Sequence, residues 1–210
     1  MSDKMTIGQK VLGMVSTNCY FLLNKETKEM IIVDPADDAV AIDGIVHKME
    51  GKPVAILLTH GHFDHIMAAE ALRKEYNIKI YIHEEEKQVL ESPSINLSSS
   101  WSAAYVLEAD EWVKDGQELR LAGFKIQVIH TPGHTQGSAC FYFPEEGVLV
   151  SGDTLFAESV GRTDFPTASP SAMKRSLQKL LSTLPENVTV LPGHSETTTI
   201  EHEKRYNPFA

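Results

Sequence analysis

The stretch "LLTHGHFDH", Leu57 to His65, decides how the rest of the chain is read. Three histidines and an aspartate fall within six residues, directly after an apolar run. That run, "VAILLTH" (54–60), has the length and composition of a strand buried on both faces, and "HIMAAEALRKEY" (65–76) resumes a helical period. A strand ending at Thr59 delivers His60 and His62 to one side by alternation, with Asp64 and His65 in the turn that opens the helix. Packing is a poor reason for such a set at one strand end. A segment of this kind can serve two adjacent metal centres.

Upstream, "NCYFLL" (18–23) and "MIIVDP" (30–35) are predicted as paired strands, and "DDAVAIDGIVHKME" (37–50) as a helix that Gly51 ends. Downstream, "KIYIH" (79–83) is a strand. In residues 84–113 a helix start is broken by Pro93, and a serine-rich loop follows in which Trp101, Tyr105 and Trp112 suggest a cover. Hairpins are expected over 118–130 and 138–153, a serine-capped helix over 169–185 and a closing strand over 188–194.

The order strand, strand, helix, strand thus occurs twice. Each copy has an aspartate at one strand end, Asp34 or Asp153, and a histidine at the next strand end after the helix, His60 or His194. Two such halves predict an α/β fold in which two packed β-sheets carry helices on their outer faces, spanning residues 1–210 as one domain. The polar strand ends would meet along one edge. Asp34 has no further ligand beside it in "VDPAD", so it is expected to hydrogen-bond a backbone group or a ligand histidine.

His134 in "HTPGHTQGS", Asp153 in "SGDTLF" and His194 in "LPGHS" complete a set of seven nitrogen and oxygen donors with His60, His62, Asp64 and His65. Such donors suit zinc, with iron or manganese as alternatives. Two sites sharing one carboxylate and a water-derived hydroxide match the two-metal hydrolase design, with ions ~3.5–4 Å apart. His47, His83 and His202 lie outside these motifs and read as structural; His130, four residues before His134, is a candidate support behind the metals.

Composition excludes other classes. The 19 basic against 29 acidic residues give 19 − 29 = −10, with no dense basic run, which disfavours nucleic acid. No apolar run is long enough to span a bilayer, and the opening residues lack a signal-peptide core, so a cytoplasmic location is expected. Cys19 and Cys140 sit in apolar strands and read as free, buried thiols. No G-x-S-x-G elbow supports a serine hydrolase.

The words "THGHFDH", "HTPGHTQGS", "SGDTLF", "GRTDF" and "LPGH" resemble, in order, the motifs of the metallo-β-lactamase superfamily, and within it the short bacterial glyoxalase II (hydroxyacylglutathione hydrolase)-like branch. The resemblance implies the superfamily's αββα sandwich. It implies that His60, His62 and His134 hold a first metal, that Asp64, His65 and His194 hold a second, and that Asp153 bridges them. Asp64 and Asp153 would act with a metal-bridging hydroxide that attacks a thioester or ester carbonyl. The absence of cysteine at position 153 argues against β-lactamases with a cysteine ligand, and His62 argues against flavodiiron-type relatives, which carry glutamate there.

Only 16 residues follow His194 (210 − 194 = 16), so the helical glutathione-binding region of longer glyoxalase II proteins is not expected. Arg162 lies where the family uses a cation near glutathione, and is the expected contact to a small-molecule thioester or ester; Asp164 replaces the tyrosine that often assists. Two alternatives are a mononuclear iron persulfide dioxygenase, needing only His60, His134 and Asp153, and a non-catalytic metal-binding member of the fold. The oligomeric state is not legible.

Overall fold

Strand β2 (Thr17–Asn24) is buried along its whole length, because one of its faces meets a second sheet and the other meets helices. In the computed structural model of the chain, which describes residues 4–101 and 103–210, the elements that follow from this pattern form two sheets. Residues 1–3, part of the opening read for a signal peptide, and Ser102 of the serine-rich stretch lie outside the described residues.

The first sheet runs in the order β1 (Met5–Leu12), β2, β3 (Glu29–Val33), β4 (Lys52–Leu57), β5 (Lys79–His83) and β6 (Glu111–Val113). The second runs β12 (Thr198–Thr199), β11 (Thr189–Pro192), β10 (Val148–Gly152), β9 (Ala139–Phe143), β8 (Phe124–His130) and β7 (Glu118–Leu121). Each is mixed. β2 pairs antiparallel with β3 and β3 parallel with β4, just as β9 pairs antiparallel with β10 and β10 parallel with β11. Helices α1 (Ala39–Lys48) and α6 (Pro170–Thr183) fill the corresponding crossovers, so the two expected halves are present.

Alternation along the strands divides the core into three layers. Tyr20, Leu22, Ile31 and Val33 face Phe124, Val128, Phe141 and Val150 between the sheets. Phe21, Ile32, Ile56 and Ile80 face outward onto Ile42 and Val46 of α1 and Leu72 of α3 (Ala69–Tyr76). Cys140, Tyr142 and Leu149 pack under Leu177, Leu180 and Leu181 of α6. This is the expected αββα sandwich. Both cysteines are buried and unpaired. Among the described residues no helix is long and apolar enough to cross a membrane.

Several expected boundaries move. β4 ends at Leu57, not at Thr59, although Leu58 N–H still bonds Tyr81 O of β5. The helix predicted over 65–76 is two pieces, α2 (Phe63–Ile66) and α3, separated at Met67 and Ala68. Residues 84–113 hold a 3₁₀ turn (Glu84–Glu86), α4 (Lys87–Glu91), α5 (Ser98–Trp101) and β6. β1 and the terminal pair β12 and α7 (Ile200–Tyr206) were not expected.

Candidate metal centre

All seven candidate donors leave the ends of strands along one edge of the sandwich. Because β4 stops at Leu57, strand alternation does not place His60 and His62; the loop does, with His62 capping α2 and Asp64 and His65 inside its single turn. His134 follows β8, Asp153 follows β10 and His194 follows β11. Gly193 is required beside the last of these, since a Cβ there would collide with Asp153 Oδ1 and come within 2.9 Å of the His65 ring.

Donor atoms of His60, His62 and His134 lie within 4.8 Å of one another, as do those of Asp64, His65 and His194. A third group, His60, His65 and Asp153, joins them. His134 Nε2 is 3.3 Å from Asp153 Oδ2, while His65 Nε2 is 3.5 Å from Asp153 Oδ1. His194 Nε2 lies 3.3 Å from Asp64 Oδ2. Asp153 therefore faces both groups at once.

Hydrogen bonds fix which ring nitrogens point inward. His134 Nδ1 donates to Arg162 O across 2.8 Å, and His65 Nδ1 donates to Asp34 Oδ2 across 2.9 Å, so each turns Nε2 to the centre. Asp34 also accepts from the N–H and hydroxyl of Thr59 at 2.8 and 2.7 Å. Thr17 Oγ1 donates to Asp64 Oδ2 across 2.8 Å. Neither threonine stands out in the sequence; the Asp–His repeat is the only signal for the Asp34 contact.

The residues fit metal ions. His60 Nε2, His65 Nε2 and Asp153 Oδ1 are buried with no hydrogen-bond partner among the described residues, a costly arrangement for three polar atoms of the candidate site. His62 Nδ1 and His134 Nε2 approach to 2.9 Å, a pairing natural for two donors aimed at one cation. Burial, then the neighbouring imidazoles, hold His60 well below the ordinary histidine range; burial and His134 do the same to His62. Neutral imidazole is the form that ligates metal. Burial pushes the Asp64 carboxyl up, but His65 and His194 and the Thr17 hydroxyl outweigh it and keep it ionised.

A cavity of about 220 Å³ opens over these groups, with His62, Asp64, His134, Asp153 and His194 at its floor. Its walls are apolar: Val15, Phe63, Leu97, Trp101, Phe156 and Phe165. Trp101 is 51% exposed and stacks on Phe63, with ring centroids 6.4 Å apart. Tyr105 and Trp112, the other aromatics of the expected cover, pack instead against the outer core of the first sheet. Arg162 reaches the wall, but its guanidinium is gripped by Asp164 through two bonds of 2.9 and 2.7 Å and lies 4.3 Å over the Phe165 ring. Its backbone carbonyl, the acceptor for His134, was not foreseen.

The remaining histidines stand apart. His130 stacks on His83 at 4.1 Å and its Nε2 donates to Gln136 O, contacting none of the seven donors. His47 lies beside Asp43 on α1, and His202 beside Glu158.

Comparison with known proteins agrees with this geometry. The hydroxyacylglutathione hydrolase GloC of Haemophilus influenzae is 33% identical over 195 residues, covering 91% of this chain and 92% of GloC. The crystal structure of the BLEG-1 B3 metallo-beta-lactamase matches with a TM-score of 0.92 at 40% identity, covering 97% of this chain and 99% of that one. The structure of TTHA1623 in a di-iron-bound form matches with a TM-score of 0.85 at 35% identity, covering 97% and 100%. A family model described as the metallo-beta-lactamase superfamily matches residues 12–194, a span that takes in all seven donors. With this fold, this His/Asp cluster and these relatives, the chain belongs to the metallo-beta-lactamase superfamily and has its metal-binding hydrolase architecture.

Proposed function

We propose that the chain is a dinuclear metal-dependent hydrolase of a thioester or ester, of the glyoxalase II type. The observation that carries this reading is the position of Asp153, one oxygen towards His134 and the other towards His65. His60, His62 and His134 would hold one ion, Asp64, His65 and His194 the other, and Asp153 both. Metal ions bound there supply Lewis acidity to a carbonyl and bring a water's pKa to near neutrality.

The chain's own residues do the rest. Arg162 O and Asp34 set the tautomers of His134 and His65 before any substrate arrives. Asp64, kept ionised, offers an acceptor oxygen to the attacking water. The apolar walls exclude bulk water and accept an acyl group. Because Asp164 already occupies the Arg162 fork, a substrate carboxylate must compete for it. Persulfide oxygenation at a single iron would leave the convergence of Asp64, His65 and His194 without a use. The similarity to BLEG-1 supports a second reading, β-lactam hydrolysis at the same centre.

Metal analysis of the purified chain, paired with a screen of lactoylglutathione, neutral thioesters, lactones, β-lactams and glutathione persulfide, tests the proposal. Two metals per chain with thioester or ester cleavage is the expected result. One iron per chain with oxygen uptake on persulfide and no thioester cleavage would overturn it.

A further inference from the structure

Glu86 is completely buried, yet it belongs to "HEEEK", a run that reads as a solvated charged face. It closes the 3₁₀ turn after β5 and points between two loops that descend from different sheets. Oε2 accepts from the Gly61 N–H across 2.7 Å. Oε1 accepts from the Thr135 hydroxyl at 2.6 Å and the Gly137 N–H at 2.8 Å. Gly61 lies between His60 and His62, and Thr135 follows His134. One carboxylate thus ties together the backbone segments that carry all three donors of the first group.

The surroundings leave these loops little other freedom. A Cβ on Gly137 would sit 2.6 Å from both the carbonyl carbon of Glu85 and the amide nitrogen of Glu86, so that loop lies directly on the turn. A Cβ on Gly61 would approach Leu90, Glu86 and Val89 to 3.0–3.1 Å. Thr135 Oγ1 is also 2.6 Å from Ser138 Oγ, which orients the hydroxyl that Glu86 receives. A buried carboxylate without a cation is costly, and here hydrogen bonds from a hydroxyl and two backbone amides offset part of that cost. Its reach across both loops gives that cost a use, since donor loops from separate sheets have no covalent reason to share a register.

We infer that Glu86 is a positioning residue for the His60–His62–His134 site: it holds the two donor loops at the separation that lets the three imidazoles converge. The inference rests on the reading that those histidines hold a metal. It goes beyond that reading by assigning the convergence to a residue that itself touches neither metal nor substrate. Gln in its place keeps volume but turns one acceptor oxygen into a donor, which must then face either Gly61 N–H or the Thr135 and Gly137 donors. One of the two loops is released in either orientation.

The test is a Zn²⁺ titration of the metal-free, full-length chain and of Glu86→Gln. His134→Ala and His194→Ala mark which binding step belongs to which group. Glu86→Gln should weaken the step lost in His134→Ala by ~10–100-fold and leave the step lost in His194→Ala unchanged. It should also lower kcat with little change in KM on whichever thioester the wild type cleaves. Exposed Glu85→Gln should do neither. Equal weakening of both steps, or loss of the fold in Glu86→Gln, would make Glu86 an ordinary core residue and overturn the inference; so would unchanged zinc binding. Should His134→Ala bind zinc like the wild type, the ligand reading itself has failed, a result distinct from failure of Glu86 alone.

Discussion

His65 Nδ1 lies 2.9 Å from Asp34 Oδ2, and both side chains are buried. Asp34 adopts a left-handed backbone conformation, φ 48°, at the end of β3, which is tolerable for an aspartate and directs its carboxylate back over Thr59. The same carboxylate therefore fixes the histidine ring and the start of the loop carrying His60 and His62. Asp34→Ala should reduce metal affinity or activity ~10–100-fold, read as metal retained after dialysis against a chelator, and should lower Tm as Thr59 loses its acceptor. Full metal retention would show that His65 needs no such support.

The Arg162–Asp164 pair gives a prediction about charge. Asp164→Ala frees the guanidinium fork, so KM for carboxylate-bearing thioesters should fall while neutral thioesters are unaffected. Arg162→Ala should raise KM for the anionic substrates only. Equal losses on charged and neutral substrates in Arg162→Ala would assign the side chain to supporting the loop through Phe165.

Trp101 is the half-exposed part of the apolar wall. Trp101→Ala should raise KM for thioesters with long or aromatic acyl groups more than for short ones, with little effect on melting temperature. A parallel rise across the series would mean that it does not contact the acyl group.

Glu86 also sets a pH dependence of stability. Burial raises its carboxyl to about 7, against the lowering by Thr135, Gly61 and Gly137. A carboxyl whose folded pKa lies above its unfolded value contributes stability that is complete below about 4.5 and is lost as pH rises through about 7. The loss is on the order of 3 kcal/mol. His83, held down to about 4 by burial and then His130, acts in the opposite sense, since its contribution is lost as pH falls from 6.5 through about 4. Urea unfolding of the wild type minus Glu86→Gln isolates the first effect: the difference should slope against the wild type from pH 4.5 to 7. A flat difference would place Glu86's folded pKa at its ordinary value.

Metal removal should destabilise the fold at the donor edge, because the unpaired ring nitrogens and Asp153 Oδ1 then stay buried without compensation. Calorimetry with and without chelator should show a lower Tm for the stripped chain and recovery on adding Zn²⁺.

The seven candidate donors that the structure brings together were legible because their chemistry is concentrated in short motifs, and the repeat of strand, strand, helix, strand exposed the two halves. What escaped has physical reasons. β1 alternates weakly, with Ile7 and Val11 exposed at a sheet edge, so its pattern resembles loop. β6 is three residues long and exists only by pairing with β5. The apolar pattern of "VAILLTH" continues past the strand because Leu58 is buried in the loop as deeply as Leu57 is in β4. Glu86 is invisible because sequence shows a run of acids and not which one turns inward. Arg162 acts on His134 through its carbonyl, which no side-chain reading can detect.

The division of the donors between two sheets also has a kinetic consequence. His60, His62, Asp64 and His65 lie on a local segment after a strand of the first sheet, whereas His134, Asp153 and His194 follow strands of the second. The first sheet can assemble from sequence-near pairings, but a complete centre demands that His194 return across 194 − 65 = 129 residues to His65, a non-local closure of the slower kind. Full metal capture therefore reports that the two sheets have docked. A nascent chain that ends before β11 would lack His194 and hold, at most, an incomplete second site.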